Sequence, residues 1–408
     1  MPDHDVASPS PLAGIRVLDC STVLAGPLAA TFLAEFGADV VKVELPPPPG
    51  YKRPIGRLQE ERNKRSVTID LRREEGQQLL LRLAETADVL VENFRPGTME
   101  RWNIGPDVLL ERNPRLIIHR LSAFGQTGPW SQRTGYDRQA QALSGATWVT
   151  GLPDSEPVRS GFATADYLAG IWGAFSILVA AYWRDTRDGS GQVSDLALFE
   201  PIFRASESSL LAYAMTGEVR GRTGNTNPHV VPAKNFSTSD SVLIAVNANN
   251  DRQWARLARM VGRDDLAEDD DYRGQRRWAH ADEVYGILDE WFGSHTLAEA
   301  EQALSDADVP FAPILNIAGI AEHPLFRERA TVDVTLRDGT TVPMVGVFPR
   351  LSKTPGAVTS PAPMPGEHTR EVLSAAGLST DEIARLEREG VVSVPEAPAS
   401  TETRSEII

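Results

Sequence analysis

The sequence of 408 residues has a single cysteine, Cys20, so an intrachain disulfide is excluded. This scarcity fits a reducing compartment, and we predict a cytoplasmic protein. The chain also lacks positive net charge, because 41 Lys and Arg stand against 56 Asp and Glu, a formal charge of −15. We therefore expect neither nucleic acid nor a membrane surface as a partner, and any anionic ligand must be bound by a local group of cations.

Several motifs that carry common chemistries are missing. The seven histidines are scattered, and HExxH and CxxC pairs are absent, so we expect no metal site. The turn after the first predicted strand reads STVLAGP, without the GxGxxG of dinucleotide-binding proteins. The sequence has no GxSxG elbow and no Walker loop. Residues 1–14 have no basic segment followed by an apolar one, so we predict no signal peptide.

One long apolar segment is present, YLAGIWGAFSILVAAYW at 167–183. It is long enough to suggest a membrane span, but it stands alone and contains two glycines, so we predict a buried core helix over 166–184. Asp166 lies at its start. Asp is a favoured N-cap residue, and the local pattern favours a helix cap. The alternative is a catalytic carboxylate.

The first half of the chain alternates apolar strand patterns with amphipathic helix patterns. We predict strands at 15–20, 38–44, 66–71, 88–93, 115–122 and 191–199. Such alternation is typical of an α/β fold with a parallel sheet and helices on both faces.

The remaining segments suggest a second, smaller domain. We predict a large domain over 1–205, a linker over 206–240, and a small α+β domain over 241–325. A return segment, 326–392, is expected to complete the large domain, and 393–408 to form a disordered tail because it is polar.

Two stretches are candidates for binding phosphate. Residues 51–73 contain eight Lys or Arg against three acids. A solvated surface face explains such a run, and a phosphate cradle is the functional alternative. Residues 92–102 follow a predicted strand, where loops of parallel sheets bind ligands, and they contain Arg95 and Arg101.

These stretches together carry a family resemblance. The segments are LAGIRVLDCSTVLAGPLAATFLAEFGADVVKVE, NKRSVTIDL, VLVENFRPGTMERWNIG, GYDRQAQALSG, the helix after Asp166, and PMPGEHTREVL. They resemble the class III CoA-transferases, the group of formyl-CoA and crotonobetainyl-CoA transferases, over residues 11–392. The resemblance implies a Rossmann-like large domain and a homodimer of two interlocked rings. It also implies that an acyl-CoA and a carboxylic acid are the substrates, with no tightly bound cofactor.

In this resemblance Asp166 is the catalytic nucleophile, which forms a mixed anhydride and then an aspartyl-CoA thioester. The positions that match CoA contacts of the family are Ile69, Asp70, Leu71, Arg72, Asn93, Phe94, Arg95, Arg101, Thr134, Gly135, Tyr136 and Asp137. Three positions differ from formyl-CoA transferase: Leu24 replaces a glutamine, Leu45 an arginine and Thr134 a lysine. Other groups must therefore bind part of the CoA phosphates.

Two other functions compete. Racemases of α-methylacyl-CoA share the fold and use a His and an Asp for proton transfer. Their pattern has His where this chain has Tyr136, so racemization ranks second. A non-catalytic CoA-binding protein ranks third, because it would not need Asp166.

Overall fold

The structure is a computed structural model, and it describes residues 10–227 and 229–395. The chain divides into two compact units. Within the described residues, the first unit comprises 10–146, 160–207 and 327–395, and the second comprises 147–159 and 208–326 without residue 228.

The first unit contains an alternating series of strands and helices. In chain order these are β1 (Arg16–Asp19), α1 (Ala25–Glu35), β2 (Asp39–Glu44), α2 (Ile55–Glu60), β3 (Lys64–Thr68), α3 (Glu74–Ala84), β4 (Val89–Glu92), α4 (Thr98–Arg101), α5 (Pro106–Arg112), β5 (Ile117–Ser122), α6 (Asp137–Leu143), α7 (Ala146–Val149, which continues into the second unit), α8 (Thr164–Thr186), β6 (Val193–Ala197) and α9 (Phe199–Arg204). The six strands form one parallel sheet in the order β3-β2-β1-β4-β5-β6. The predicted α/β fold with a parallel sheet is confirmed.

The central strands are buried on both faces, which explains why most of their residues are apolar. The start of β3 was placed too late by sequence reasoning, because Lys64 and Arg65 do not look like strand residues. In the structure Lys64 is buried against Asp19 and Glu61, and Arg65 pairs with Asp39. Charge neutralisation lets this strand begin with two cations.

The second unit has its own core. Its elements are α10 (Ser209–Thr216), β7 (Ala233–Ser237), β8 (Leu243–Asn247), α11 (Asp251–Met260), α12 (Asp264–Glu268), two 3-10 turns (Asp270–Tyr272 and Gly274–His280), α13 (Ala281–Ser294), α14 (Leu297–Asp306), β9 (Phe311–Pro313), α15 (Ile317–Glu322) and α16 (Pro324–Arg329, whose last residues belong to the first unit). The strands form an antiparallel sheet, β7-β8-β9. Residues 206–240, predicted as a linker, contain α10 and β7.

The chain then returns to the first unit through the hairpin β10 (Thr331–Thr335) and β11 (Thr341–Val345), followed by α17 (Thr369–Ala375) and α18 (Thr380–Arg388). Both helices pack on the core beside β3 through Val372, Leu373 and Ile383. The predicted tail begins at 393, but Ser393 donates its backbone N–H to Thr68 Oγ1 at 2.8 Å. Residues 396–408 of that tail lie outside the described residues.

Helix α8 is long and apolar enough to cross a membrane by length and composition. The prediction of a buried core helix is correct for one face only. Ala169, Gly173 and Ile177 are buried in the first unit. The opposite side is exposed and apolar, and we call it the outer face of α8; it consists of Ile171, Trp172, Phe175, Leu178, Val179 and Tyr182.

Candidate active site

A cavity of about 230 Å³ opens at the carboxyl ends of β1, β4 and β5. The strand order reverses between β1 and β4, and this switch point is where open parallel sheets bind ligands. The residues that line the cavity are Thr22, Val23, Leu24, Ala25, Asn93, Phe94, Arg95, Pro96, Leu121, Ser122, Ala123, Arg133, Thr134, Gly135, Tyr136, Asp166 and Leu198.

Asp166 is the only carboxylate in this lining. It is the third residue of α8, whose N-cap position is occupied by Ala163. The interpretation of Asp166 as the N-cap residue is therefore wrong, because the helix begins two residues before it. Burial raises the pKa of Asp166 to about 6, and the negative charge of Asp137 adds to the rise. Such a carboxylate is ionised at neutral pH but more basic than an ordinary surface aspartate.

The first turn of α8 is capped by a carboxylate from another helix. Asp137, at the start of α6, accepts a hydrogen bond from the backbone N–H of Ala165 at 2.8 Å and a longer one from that of Asp166 at 3.4 Å. Free N–H groups at a helix start bind carboxylates readily. This interaction joins α6 to the turn that carries Asp166.

Two glycines let α8 pack close to helix α1 and strand β5. A Cβ at Gly170 would lie 2.8 Å from the Cβ of Leu28, and one at Gly173 would lie 2.8 Å from His119 Nε2. Neither position tolerates a side chain without a shift of its neighbours. The start of the apolar helix is thereby brought to the carboxyl edge of the sheet.

The loop after β4 is tied to the loop after β1 by Asn93. Its Oδ1 accepts the backbone N–H of Thr22 at 2.7 Å, and its Nδ2 donates to the carbonyl of Thr22 at 2.7 Å. The next residue, Val23, is held at φ 64°, a left-handed conformation that is unfavourable for a β-branched side chain. Asn93 thus fixes a strained segment of the cavity wall.

The buried guanidinium of Arg120 supports the same loop through two ion pairs. Arg120 donates to Glu92 Oε1 at 2.6 Å and to Glu100 Oε1 at 2.7 Å. The other oxygen of Glu92 accepts the backbone N–H of Phe94 at 2.7 Å. Phe94 in turn packs edge-on against Trp102. Arg120 is therefore engaged in the protein interior and is not free for a substrate.

Cations without a carboxylate partner remain at the cavity. Arg95 donates to the carbonyl of Gln132 at 2.6 Å, and Arg133 lies 4.1 Å above the ring of Trp130. Neither forms an ion pair with a carboxylate of the described residues. Arg101 lies outside the cavity lining. Within the described residues its guanidinium donates one hydrogen bond, to the hydroxyl of Thr98 at 2.9 Å. These guanidinium groups are available to anionic parts of a ligand.

The basic stretch 51–73 is not a free phosphate cradle. Seven of its eight guanidinium and ammonium groups pair with carboxylates, several of them from distant parts of the sequence. The pairs are Arg53 with Glu44, Arg57 with Glu61, Arg62 with Glu35, Lys64 with Asp19 and Glu61, Arg65 with Asp39 and Glu371, Arg72 with Asp70, and Arg73 with Glu75. The local excess of positive charge in the sequence is balanced in three dimensions.

The chain is similar to known proteins over most of its length. The family model described as "CoA-transferase family III" matches residues 12–369. The chain belongs to CoA-transferase family III. The family predicted from the sequence motifs is confirmed, and the protein is a CoA-transferase.

Individual CoA-transferases are similar over nearly the whole chain. The beta subunit of succinyl-CoA–L-malate CoA-transferase from Chloroflexus aurantiacus is 41% identical over 398 residues, which cover 94% of this chain and 98% of that one. Succinate–glutarate CoA-transferase from Agrobacterium fabrum is 35% identical and covers 89% of this chain and 95% of its own. A CAIB/BAIF family protein from Brucella suis has a crystal structure that matches with a TM-score of 0.79 at 31% identity, covering 90% of this chain and 99% of that one.

Within this CoA-transferase, the predicted site residues fall into two groups. Asn93, Phe94, Arg95, Thr134, Gly135, Tyr136 and Asp166 line one cavity, whereas Ile69, Asp70, Leu71, Arg72, Arg101 and Asp137 do not. Ile69 and Leu71 are buried in the core beside β3, so their side chains face the protein interior. CoA contact by any of these residues stays a prediction.

Sequence reasoning missed two contributors. Arg133 lines the cavity, but a lone arginine beside a turn carries no sequence signal. Gln141 is fully buried and bonds Asp137, and only its position one turn after Asp137 on a helix hinted at this contact.

Proposed function

We propose that Asp166 is the nucleophile of CoA transfer from an acyl-CoA thioester to a carboxylic acid. The observation that carries the proposal is the position of its carboxylate. It lines the cavity at the switch point of the sheet and accepts no hydrogen bond from any described residue, while burial raises its pKa to about 6. A desolvated carboxylate that is free of strong donors is well suited to attack an activated carbonyl.

The proposed reaction passes through two mixed anhydrides and one aspartyl-CoA thioester. An oxygen of Asp166 attacks the thioester carbonyl, the C–S bond breaks, and CoA leaves as a thiolate while a mixed anhydride forms. The thiolate attacks Cγ of Asp166 and releases the first acid, which leaves an aspartyl-CoA thioester. The acceptor carboxylate attacks the same Cγ and expels the thiolate, and the thiolate then attacks the acceptor acyl carbon and frees Asp166.

The substrates that we propose are dicarboxylic. The relatives are named for succinyl-CoA with L-malate, D-citramalate or mesaconate, and for succinate with glutarate. Each of these acids keeps a second carboxylate when the first is joined to CoA. Arg95 and Arg133, which line the cavity without a carboxylate partner among the described residues, are suitable groups to bind it.

We further propose a homodimer, located in the cytoplasm. The outer face of α8 exposes Trp172 at 40% and Phe175 at 55%, and a second copy of the chain would cover these apolar groups. At micromolar concentration, sedimentation should give about twice the chain mass of 44.5 kDa. An active species of 44.5 kDa would contradict the dimer.

A substrate screen tests the transfer. Purified protein is incubated with succinyl-CoA and a panel of acids, and mass spectrometry detects each new acyl-CoA. We expect products with four- and five-carbon dicarboxylic acids and none with matched monocarboxylic acids. The Asp166→Asn protein is the control and should form no product. Transfer by that variant, or transfer to monocarboxylic acids alone, would contradict the proposal.

A further inference from the structure

Both carboxylate oxygens of Asp137 are already bonded to protein groups. Oδ1 accepts the backbone N–H of Ala165 at 2.8 Å, and Oδ2 accepts Nε2 of Gln141 at 2.7 Å. The resemblance to the family gives Asp137 a role in CoA contact. Its side chain does not line the cavity, and its acceptor atoms are directed at helix α8 and at Gln141.

Gln141 forms the second half of the arrangement. Its Nε2 also donates to the carbonyl of Phe162 at 3.3 Å, and its Oε1 accepts both the backbone N–H and the hydroxyl of Ser160 at 3.1 Å each. The side chain is 1% exposed. One buried amide therefore joins α6 to the segment that leads into α8, and it fixes the orientation of the Asp137 carboxylate.

We propose that Asp137, held by Gln141, is a positioning residue that fixes the first turn of α8 and thereby keeps the Asp166 carboxylate in the cavity. This inference rests on the proposed role of Asp166. The N-cap residue of α8, Ala163, has no side-chain oxygen, so the first-turn N–H groups depend on an acceptor from elsewhere. Asp137 supplies this acceptor from a neighbouring helix.

The charge of Asp137 has a second consequence for the same site. It lies beside the first turn of α8, where its negative charge adds to burial in raising the pKa of Asp166. Arg95 and Arg133 line the same cavity. Asp137 thus disfavours ionisation of Asp166 and leaves the ionised form more basic, which favours attack on a thioester.

The test compares Asp137→Ala with Asp137→Asn and with a matched cap variant far from the site. Ser379 is the N-cap of α18 and accepts the backbone N–H of Glu382 at 3.3 Å. Ser379→Ala removes a helix cap in the same unit. It should lower the melting temperature as Asp137→Ala does and leave transfer unchanged. Activity, melting temperature and the pH profile are measured for all three variants.

We expect Asp137→Ala to lower kcat by about tenfold to a hundredfold, because a small displacement of a nucleophile is costly. The KM for acyl-CoA should change by less than about threefold. Asp137→Asn keeps an oxygen for the N–H of Ala165 but turns the acceptor of the Gln141 Nε2 bond into a donor, so it should recover part of the lost kcat. Since it removes the negative charge, the acidic limb of its pH profile should move to lower pH.

Two outcomes would overturn the inference. A raised KM with unchanged kcat in Asp137→Ala would make Asp137 a CoA contact, as the resemblance implies. Unchanged kcat, KM and pH profile would make it a structural cap without influence on Asp166. Failure of the proposed function is a separate result, because it would appear as transfer activity that survives in Asp166→Asn while Asp137 is intact.

Discussion

Replacing Asp166 by Asn should abolish transfer and, at pH 8, make the protein more stable. The substitution removes the attacking anion and keeps the shape of the side chain. It also removes a charge that the cavity disfavours, because burial and the neighbouring Asp137 both raise the pKa of Asp166. Active sites often hold such unfavourable groups, so a loss of function can accompany a gain in stability.

The size of the gain follows from the pKa of Asp166. A rise from 3.8 to about 6 is about two units, and each unit corresponds to about 1.4 kcal/mol, so the upper limit is about 3 kcal/mol. Asp166 is only partly buried, and solvent screening reduces this figure to about 1–2 kcal/mol. For a chain of this size, that corresponds to about 1–3 °C in melting temperature.

The pH dependence has a defined sign. Well below pH 3.8 the carboxyl group is protonated in both the folded and unfolded states, so its ionisation costs no stability. As the pH rises from 3.8 through about 6, the unfolded state loses its proton first and the folded protein loses stability relative to it. The advantage of Asp166→Asn should be complete at pH 8 and only about one third as large at pH 4.5.

Thermal unfolding of both proteins, measured at equal concentration across this pH range, checks the prediction. The useful quantity is the difference in melting temperature between variant and wild type, because other groups that titrate contribute equally to both. An Asn protein that is less stable than wild type at pH 8 would refute the reasoning, as would a difference that does not change with pH. The first result would mean that the fold stabilises the Asp166 carboxylate, and the second that its pKa is the same in the folded and unfolded states.

Three further predictions concern the ligand, the packing and the reaction. Arg101→Ala should weaken acyl-CoA binding by about tenfold to a hundredfold in calorimetry, because a charged partner of phosphate is lost; unchanged affinity would remove Arg101 from the CoA site. Gly173→Ala should cost about 1–3 kcal/mol in urea unfolding because its Cβ meets His119, whereas Gly286→Ala, which meets nothing within 4 Å, should be neutral or stabilising. A 2-methylacyl-CoA should take up no deuterium at its α-carbon without an acceptor acid; uptake would favour the racemase alternative.

The sheet could be predicted because the spacing of apolar residues along the sequence reflects which residues are buried. Strands β1, β2, β4 and β5 are rich in buried apolar residues, and the sequence places each within a few residues. Strand β7 and helix α10 were missed, because residues 206–240 are rich in polar and turn-forming residues and only tertiary packing selects their structure. The pairing of the cations in 51–73 was also beyond sequence reasoning, since partners such as Glu35 and Glu371 are distant along the chain.

The site was predictable in part. A carboxylate at the mouth of an apolar helix marked Asp166, and motifs located the loop of Asn93. The cap of α8 was not predictable, because Asp137 comes from a different helix and its bond to Ala165 spans 28 residues. Sequence patterns predict a cap from the residue just before a helix. In α8 that residue is Ala163, whose side chain has no hydrogen-bond acceptor.

Covalent trapping tests the central claim most directly. The protein is incubated with succinyl-CoA and hydroxylamine, which converts an activated aspartyl group to a hydroxamate, and peptides are mapped by mass spectrometry. The Asp166→Asn and Asp137→Asn proteins are treated in parallel. We predict a hydroxamate on Asp166 in wild type and in Asp137→Asn, and none in Asp166→Asn. Modification at another carboxylate, or full transfer with no trapped aspartate, would contradict the account.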